Sequence, residues 1–237
     1  MLVVLASRSD AAARALCERA PAGTAQLLSW RDLSTTGWRY YSDPDDGGDA
    51  AVIGGRPITN AEIDAVVTRC PAVPPHELGH IVPADRTYVA AEMTAFLVAW
   101  LTRLRCPVLN RPRDGCLCGP RWPPERWTML ATSLGLRAVP VARRAVPGLA
   151  PGTTRPAAPA GFELRTVTVV GPHAHVSDDT PETLADAAVT LARGAEVILL
   201  KTEFAVRGSE YWFVGAGLDV DLAAPPVADA LLATAAA

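Results

Sequence analysis

Apolar and polar residues alternate along this chain in short blocks. Residues 2–6 form an apolar run typical of a buried strand, and residues 25–29 and 51–53 form two more. Polar residues, glycines and prolines separate these runs and indicate turns. Because the predicted strands are interspersed with helical patterns, the sequence predicts a layered α/β fold.

The clearest helical pattern runs from Asp85 to Leu104. Cys106-Pro107 ends it, and Pro123-Pro124 opens a second helix that reaches Leu134. The first helix has apolar residues three and four positions apart, as on the buried face of an amphipathic helix: Val89, Met93, Phe96, Leu97, Trp100, Leu101 and Leu104.

The C-terminal third predicts a sheet with helices. Phe162–Val170 alternates like a strand, and residues 181–193 form a helical pattern closed by Gly194. Glu196–Val206 and Tyr211–Gly215 read as a hairpin. The predicted division is an α/β domain over 1–112, a helical connector over 113–146, a Pro-rich linker over 147–161 and an α+β part over 162–237.

Composition excludes several classes of protein. The 237 residues are 49% apolar and 20% charged, which is typical of a folded chain. The net charge of −3 and the absence of a basic tract argue against a nucleic-acid partner, and no apolar run could span a membrane. The N-terminus lacks the features of a signal peptide, so we expect a cytoplasmic protein. Five scattered cysteines indicate reduced thiols.

One motif points to zinc. The segment His76-Glu77-Leu78-Gly79-His80 matches H-E-x-x-H, which on a helix places two imidazoles on one face and a glutamate base beside them. Flanking prolines leave it at most about two helical turns, and a third ligand would have to be Glu92 on the next predicted helix. A loop with two exposed histidines is therefore favoured, with zinc hydrolysis by His76, Glu77 and His80 kept as an alternative.

Two closer pairs also carry ligand-type side chains. Cys116 and Cys118 have no matching second pair, and His173 and His175 share a strand face with no third ligand nearby. The first pair indicates a loop with ordinary thiols, and the second a solvent-facing pair. No metal or other cofactor is expected from either.

The segment Trp38-Arg39-Tyr40-Tyr41 predicts an exposed aromatic patch, because it lies in a polar stretch. Such patches suit the binding of a peptide or a protein. Arg111, Arg113 and Trp122 lie in predicted loops and complete the candidate peptide contacts. A structural role for each of these side chains is the alternative.

Two further segments carry a family resemblance. Asp85-Arg86-Thr87-Tyr88-Val89-Ala90-Ala91-Glu92 opens a helix that is followed by Asn110-Arg111-Pro112, a second helix and the strand Gly135–Pro140. This order resembles the end of the N-terminal domain of ATP-grasp ligases that modify ribosomally made peptides. The resemblance implies a mainly parallel N-terminal sheet with flanking helices.

The late strands are similar to the last core strands of the same family. In those ligases the second strand carries a glutamate and an asparagine that hold the magnesium ion bridging the ATP phosphates; here Gly215 and Gly217 stand at those positions. The interval of residues 145–161 replaces a lysine-bearing nucleotide clamp, and the single lysine is Lys201. The resemblance therefore implies a truncated ATP-grasp fold without the family's phosphate chemistry.

Three functions follow from this resemblance. The first is a non-catalytic accessory protein that binds a precursor peptide and presents it to a modifying enzyme of the same pathway, similar to peptide-binding proteins of ribosomal-peptide pathways such as the crocagin one. The second is a partial ligase subunit that a partner chain completes. The third is an assembly subunit without peptide preference. Relatives of this kind are commonly dimers, so a homodimer is expected.

Overall fold

A computed structural model describes residues 1–41, 48–141, 143–144, 152–153, 156, 158–176 and 180–235. The chain forms two compact units, Met1–Arg121 with Asp221–Ala237, and Trp122–Val220. Most of the predicted linker over 147–161 lies outside the described residues. No helix in the described part is long and apolar enough to cross a bilayer.

The first unit is built around a four-stranded parallel sheet of order β2-β1-β5-β6. A two-stranded antiparallel hairpin, β3-β4, stands beside this sheet in the fold. The elements of the unit in chain order are β1 (Leu2–Leu5), α1 (Ala11–Arg19), β2 (Ala25–Leu28), β3 (Ala50–Ile53), β4 (Arg56–Thr59), β5 (Ala65–Thr68), α2 (Arg86–Arg103), β6 (Val108–Leu109) and α5 (Pro225–Thr234).

The sequence explains why the parallel strands lie at the centre. All four residues of β1 are fully buried, as expected for a parallel strand covered on both faces. Helix α2 contributes Leu97, Trp100 and Leu101 to the same core, so the helical pattern of the sequence is confirmed. The indole Nε1 of Trp100 donates to Asn60 Oδ1 at 3.1 Å, which satisfies its only polar atom.

The second unit contains an antiparallel sheet of order β10-β9-β11-β12. Helix α4 packs on this sheet through one apolar face, and Phe204 and Phe213 form the centre of the core. The elements in chain order are α3 (Pro124–Ser133), β7 (Arg143–Arg144), β8 (Gly152–Thr153), β9 (Glu163–Val170), β10 (His173–His175), α4 (Glu182–Gly194), β11 (Leu199–Arg207) and β12 (Glu210–Gly217). The fold class predicted from the sequence, α/β with a parallel and an antiparallel sheet, is confirmed.

Helix α1 begins at a charged cap that makes its stability depend on pH. Asp10 accepts the backbone N–H of Ala13 at 2.9 Å and pairs with Arg69 at 3.0 Å. Burial raises the pKa of Asp10, but the hydrogen bonds from Ala13 and Arg69 outweigh it, so the pKa lies below the ordinary value of 3.8. The carboxylate therefore contributes stability above the unfolded pKa, and this contribution is lost as the pH falls through the folded value.

We expect Asp10→Asn to remove this pH dependence. The difference in unfolding free energy between wild type and variant should be constant above about pH 5 and should shrink below about pH 4. Urea unfolding at a series of pH values measures it. Asp229→Asn, which removes an exposed pair with Arg19, is the control and should change little. A difference that persists unchanged at pH 3 would contradict this account.

Candidate functional site

A small cleft lies beside the end of the β11–β12 hairpin in the second unit. Its volume is about 230 Å³, and we call it the glycine cleft. It is lined by Pro124, Pro156, Lys201, Glu203, Gly215, Ala216, Gly217, Leu218 and Asp219.

The strand register brings the charged residues of the cleft next to its glycines. Lys201 pairs with Gly217, and Glu203 pairs with Gly215, so each charged side chain has a glycine directly across from it. A Cβ at either glycine would meet no atom within 4 Å. Packing would therefore accept larger side chains at both positions.

The cleft offers few ligands for a hard cation. Magnesium requires oxygen ligands in near-octahedral geometry, and glycine supplies no side-chain oxygen. The side-chain oxygens in its lining come from Glu203 and Asp219, and Lys201 adds an ammonium group to the same lining. Over the described residues, no group of three or more His, Cys, Asp or Glu side chains could hold a metal ion.

The predicted aromatic patch forms on helix α2 of the first unit. The ring of Trp38 packs edge-on against the rings of Phe96 and Trp100, with distances of 5.1 and 5.5 Å between ring centres. Its Nε1 donates a hydrogen bond of 2.8 Å to the carbonyl of Asp32. The ring centres of Tyr40 and Phe96 are 5.9 Å apart, and Tyr40 is 41% exposed. Trp38 is thus mainly part of the core edge, whereas the ring of Tyr40 is available at the surface.

The other two residues of the patch differ in what holds them. Arg39 is exposed, and its backbone exchanges two hydrogen bonds of 2.9 Å with Ala50. The backbone N–H of Tyr41 donates a hydrogen bond to the Asp49 carboxylate, and its carbonyl accepts one from Arg103. Tyr41 is 41% exposed. Arg103 also lies 4.3 Å from the centre of the Tyr40 ring. Arg103 therefore fixes both tyrosines on the helix.

A groove of about 570 Å³ borders this patch. Of the residues that line it, the sequence predicts only Trp38 as a contact, and the only local signal for the others is the small polar run that precedes Trp38. We call it the Trp38 groove, and it is lined by Leu33, Ser34, Thr35, Thr36, Gly37, Trp38, Glu92, Met93 and Phe96.

A second groove on α2, of about 550 Å³, has smaller side chains. The backbone N–H of Val73 donates to Thr94 Oγ1 at 3.0 Å, which ties its two sides together. We call it the small-residue groove, and it is lined by Ala72, Val73, Pro75, Thr87, Ala90, Ala91, Thr94, Ala95, Val98 and Gly115.

The two arginines predicted to lie in loops, Arg111 and Arg113, occupy different places in the same unit. The Arg111 guanidinium donates to the carbonyls of Leu101, Thr102, Leu104 and Cys106, at 2.8–3.3 Å, so it caps the C-terminal end of α2. Arg113 begins a tight turn, with its backbone paired to Cys116. The donors of Arg111 are thus already engaged within the protein.

Trp122 is the first residue of the second unit, whereas the other candidate contacts belong to the first unit. Its ring is 4.7 Å from that of Trp127, and the guanidinium of Arg126 is 4.1 Å from its centre. It is half-buried against the core formed by α3, α4 and the sheet. This environment gives Trp122 a packing role within its own unit.

The H-E-x-x-H segment does not form the helix that zinc hydrolysis requires. Pro75–Glu77 is a single 3₁₀ turn. Glu77 Oε2 accepts hydrogen bonds from Ser7 Oγ at 2.5 Å and Trp30 Nε1 at 3.1 Å, and the ring of His80 bonds to Ser34 Oγ at 2.8 Å. The glutamate joins structural elements here, so it is not placed as a base beside two histidine ligands.

Comparison with known proteins places this fold. No protein-family model matches the sequence, and no curated protein matches it either. The macrocyclase MdnC from Microcystis aeruginosa MRC, bound with precursor peptide MdnA, is 12% identical with a TM-score of 0.68, over 100% of this chain and 99% of that chain. The ATP-grasp ligase PsnB complexed with minimal precursor is 12% identical with a TM-score of 0.68, over 98% of both chains.

A third similar structure broadens this comparison. It is a Chryseobacterium gregarium ATP-grasp ligase, associated with ribosomally synthesised and modified peptides and in complex with ADP and a leader and core peptide. It is 8% identical with a TM-score of 0.67, over 98% of this chain and 95% of that chain. At sequence identities this low, the structural similarity shows the fold alone. The chain therefore has the fold of ATP-grasp ligases associated with ribosomally made peptides, as the motifs of its sequence indicate.

Proposed function

We propose that this protein is a non-catalytic accessory protein that binds a ribosomally made precursor peptide and presents it to a modifying enzyme of the same pathway. The observation that carries the proposal is the pair Gly215 and Gly217 at the end of β12. In the ligases that the chain resembles, these positions carry the two side chains that hold magnesium. Glycine has no side-chain oxygen, so neither position offers a side-chain ligand for a cation.

The charges of the glycine cleft support the same conclusion. Phosphoryl transfer depends on positive charge placed around the phosphates. In the described part of the cleft, Glu203 and Asp219 supply two carboxylates against the single ammonium group of Lys201. Among the described lining residues, the positive charge thus comes from one side chain, which is little against a triphosphate.

The first unit has a surface suited to a peptide. The Trp38 groove has an apolar floor of Trp38, Met93 and Phe96 and an exposed acidic residue, Glu92, at its wall. A peptide with an apolar anchor side chain and a nearby basic residue would complement it. Two of the three similar structures are complexed with a precursor, and the third with a leader and core peptide, which favours such a peptide over another ligand.

Calorimetric titration of one metal-analysed sample tests the proposal. Mg-ATP is titrated first and the precursor peptide encoded beside the gene second. We expect binding of the peptide, no heat from Mg-ATP and no bound zinc. Heat from Mg-ATP, alone or after addition of a partner chain, would instead support the ligase-subunit alternative, and stoichiometric zinc would support hydrolysis.

The site of peptide binding is tested by Thr36→Arg. Thr36 is an exposed wall residue of the Trp38 groove, so a long charged side chain there should block the apolar floor. We expect the peptide affinity to fall about tenfold or more, which corresponds to about 1.4 kcal/mol. Thr183→Arg, at an exposed position of α4, is the matched control and should leave the affinity unchanged.

The two results separate the parts of the proposal. Equal affinity of wild type and Thr36→Arg would place the peptide elsewhere on the protein. Absence of peptide binding by the wild type would contradict the accessory function itself. The expected homodimer and cytoplasmic location remain predictions, and light scattering on the same sample measures the first.

A further inference from the structure

Two cysteine thiols are in contact in the first unit. The sulfur atoms of Cys116 and Cys118 are 3.6 Å apart, within hydrogen-bonding distance for sulfur. All five cysteines of the chain are free, and the other three are distant in sequence from each other. The function proposed above makes no use of this pair.

The backbone holds both thiols in place. Arg113 and Cys116 close a two-residue turn with hydrogen bonds of 3.1 and 2.9 Å, and the residues between them, Asp114 and Gly115, both have positive φ. Leu117, between the two cysteines, is fully buried. Its N–H donates to Pro71 at 2.8 Å and its carbonyl accepts from Thr68 at 3.0 Å. The contact is therefore built into the fold.

This contact favours the thiolate form of Cys116 over that of Cys118. The hydrogen bond from Cys118 lowers the pKa of Cys116 to about 6, against the opposing effect of burial, and the same bond raises the pKa of Cys118. Burial raises the pKa of Cys17 to about 11 and also raises that of Cys70. Because the thiolate is the nucleophile, the contact favours Cys116 over Cys118 as the attacking sulfur.

We propose that Cys116 and Cys118 are an oxidisable dithiol that a hydroperoxide converts into an intramolecular disulfide. The Cys116 thiolate attacks one peroxide oxygen, the O–O bond breaks, and hydroxide leaves and takes up a proton to form water. Cys116 is then a sulfenic acid. Cys118 loses its proton and attacks the sulfur of Cys116, and the S–O bond breaks to release a second water. Two thiols and hydrogen peroxide thus give one disulfide and two waters.

The burial of the pair selects for a small oxidant. Cys116 is 5% exposed and Cys118 is half-buried. Hydrogen peroxide is close to water in size, so it reaches such sulfurs more readily than a bulky disulfide does. The neighbouring thiol then traps the sulfenic acid before it can be oxidised further.

Oxidation would change the shape of a nearby surface. A disulfide bond is about 2.05 Å long, so the two sulfurs must approach by about 1.5 Å. Gly115, in the turn that precedes Cys116, lines the small-residue groove together with Ala72 and Val73. Oxidation would therefore act next to a turn that borders this groove.

Peroxide treatment of the reduced full-length protein tests the proposal. The remaining thiols are blocked with N-ethylmaleimide, and the digest is analysed by mass spectrometry. We expect one disulfide, between Cys116 and Cys118, formed at least about tenfold faster than any oxidation of Cys17, Cys70 or Cys106. Random oxidation of the five cysteines, or a Cys116 that stays reactive towards the maleimide, would overturn the proposal.

Three variants assign the roles of the two sulfurs. Cys118→Ser should stop at a sulfenic acid on Cys116 that dimedone labels, and Cys116→Ser should give no disulfide. Cys106→Ser is the matched control and should react as wild type. Circular dichroism confirms that each variant is folded before it is tested.

The pH dependence gives a readout that does not depend on any variant. The rate of disulfide formation in the wild type should reach half of its maximum below the ordinary thiol value of 9.0, because the hydrogen bond from Cys118 favours the Cys116 thiolate. A half-maximum at or above 9.0 would contradict this activation of Cys116.

Discussion

Asp32→Ala is expected to destabilise the first unit by about 3 kcal/mol. Asp32 is 6% exposed, and its carboxylate accepts hydrogen bonds from the N–H and hydroxyl of Ser29, at 2.8 and 2.7 Å, and from the N–H of Gly55 at 2.8 Å. Alanine would leave the two buried donors of Ser29 without this partner, whereas the N–H of the exposed Gly55 can bond to water. Urea unfolding followed by tryptophan fluorescence measures the loss, because Trp30 and Trp38 lie in this unit.

Two further variants separate this cause from a simple loss of packing. Asp32→Asn keeps one side-chain oxygen and turns the other acceptor into a donor, so its cost should be intermediate. Ser29→Ala removes one hydroxyl and one hydrogen bond, and should cost about 1 kcal/mol. An Asp32→Ala protein as stable as wild type would show that water replaces the carboxylate.

The same change should weaken the Trp38 groove. Asp32 begins the 3₁₀ turn Asp32–Ser34, and its carbonyl accepts the indole N–H of Trp38. Because the groove wall follows directly from this turn, we expect peptide affinity to fall along with stability.

Arg111→Ala is expected to cost about 2 kcal/mol. Its guanidinium satisfies carbonyls at the C-terminal end of α2 that no helix N–H reaches, and its positive charge favours that end of the helix dipole. Arg111→Lys keeps the charge but provides one ammonium group for several carbonyls, and should lose most of this stability. Thermal unfolding of the variants measures both effects.

Arg8→Ala is the control, since Arg8 is an exposed arginine outside helix α2. It should unfold at the wild-type temperature. If Arg111→Ala lost peptide affinity without losing stability, Arg111 would be a contact residue, as its position in a predicted loop indicates, and the capping role would be contradicted.

Helix α2, strand β1 and Arg111 show what the sequence can and cannot predict. The periodic apolar positions of α2 and the apolar run of β1 predict buried elements, because each pattern is set by the geometry of its own segment. Arg111 follows Asn110, which has a φ of 61° and turns the chain back across the helix end. Where the guanidinium lands depends on that turn and on the distant carbonyls, which no local pattern contains.

The cap of α1 shows the same limit over a shorter distance. Ser9 and Asp10 are both of the residue types that cap helices, so the sequence alone does not decide between them. In the structure the hydroxyl of Ser9 bonds to that of Ser7 at 2.7 Å, and Asp10 caps the helix. Glu77 is a further case, because its partners Ser7 and Trp30 are far away in the sequence. The Trp38 groove has no local signature for the same reason, because residues 33–38 and residues 92–96 line it together.

The open space beside Gly215 and Gly217 has a consequence for the stability of the second unit. Glycine in a strand is less stable than a residue with a side chain by about 0.5–1 kcal/mol, because it loses more conformational freedom on folding. Neither position needs a glycine, since a Cβ there would meet no neighbour within 4 Å. The second unit thus carries a small loss of stability that single substitutions could reverse. Substitution by glutamate or asparagine would add oxygen ligands to the glycine cleft without a steric clash of the new Cβ.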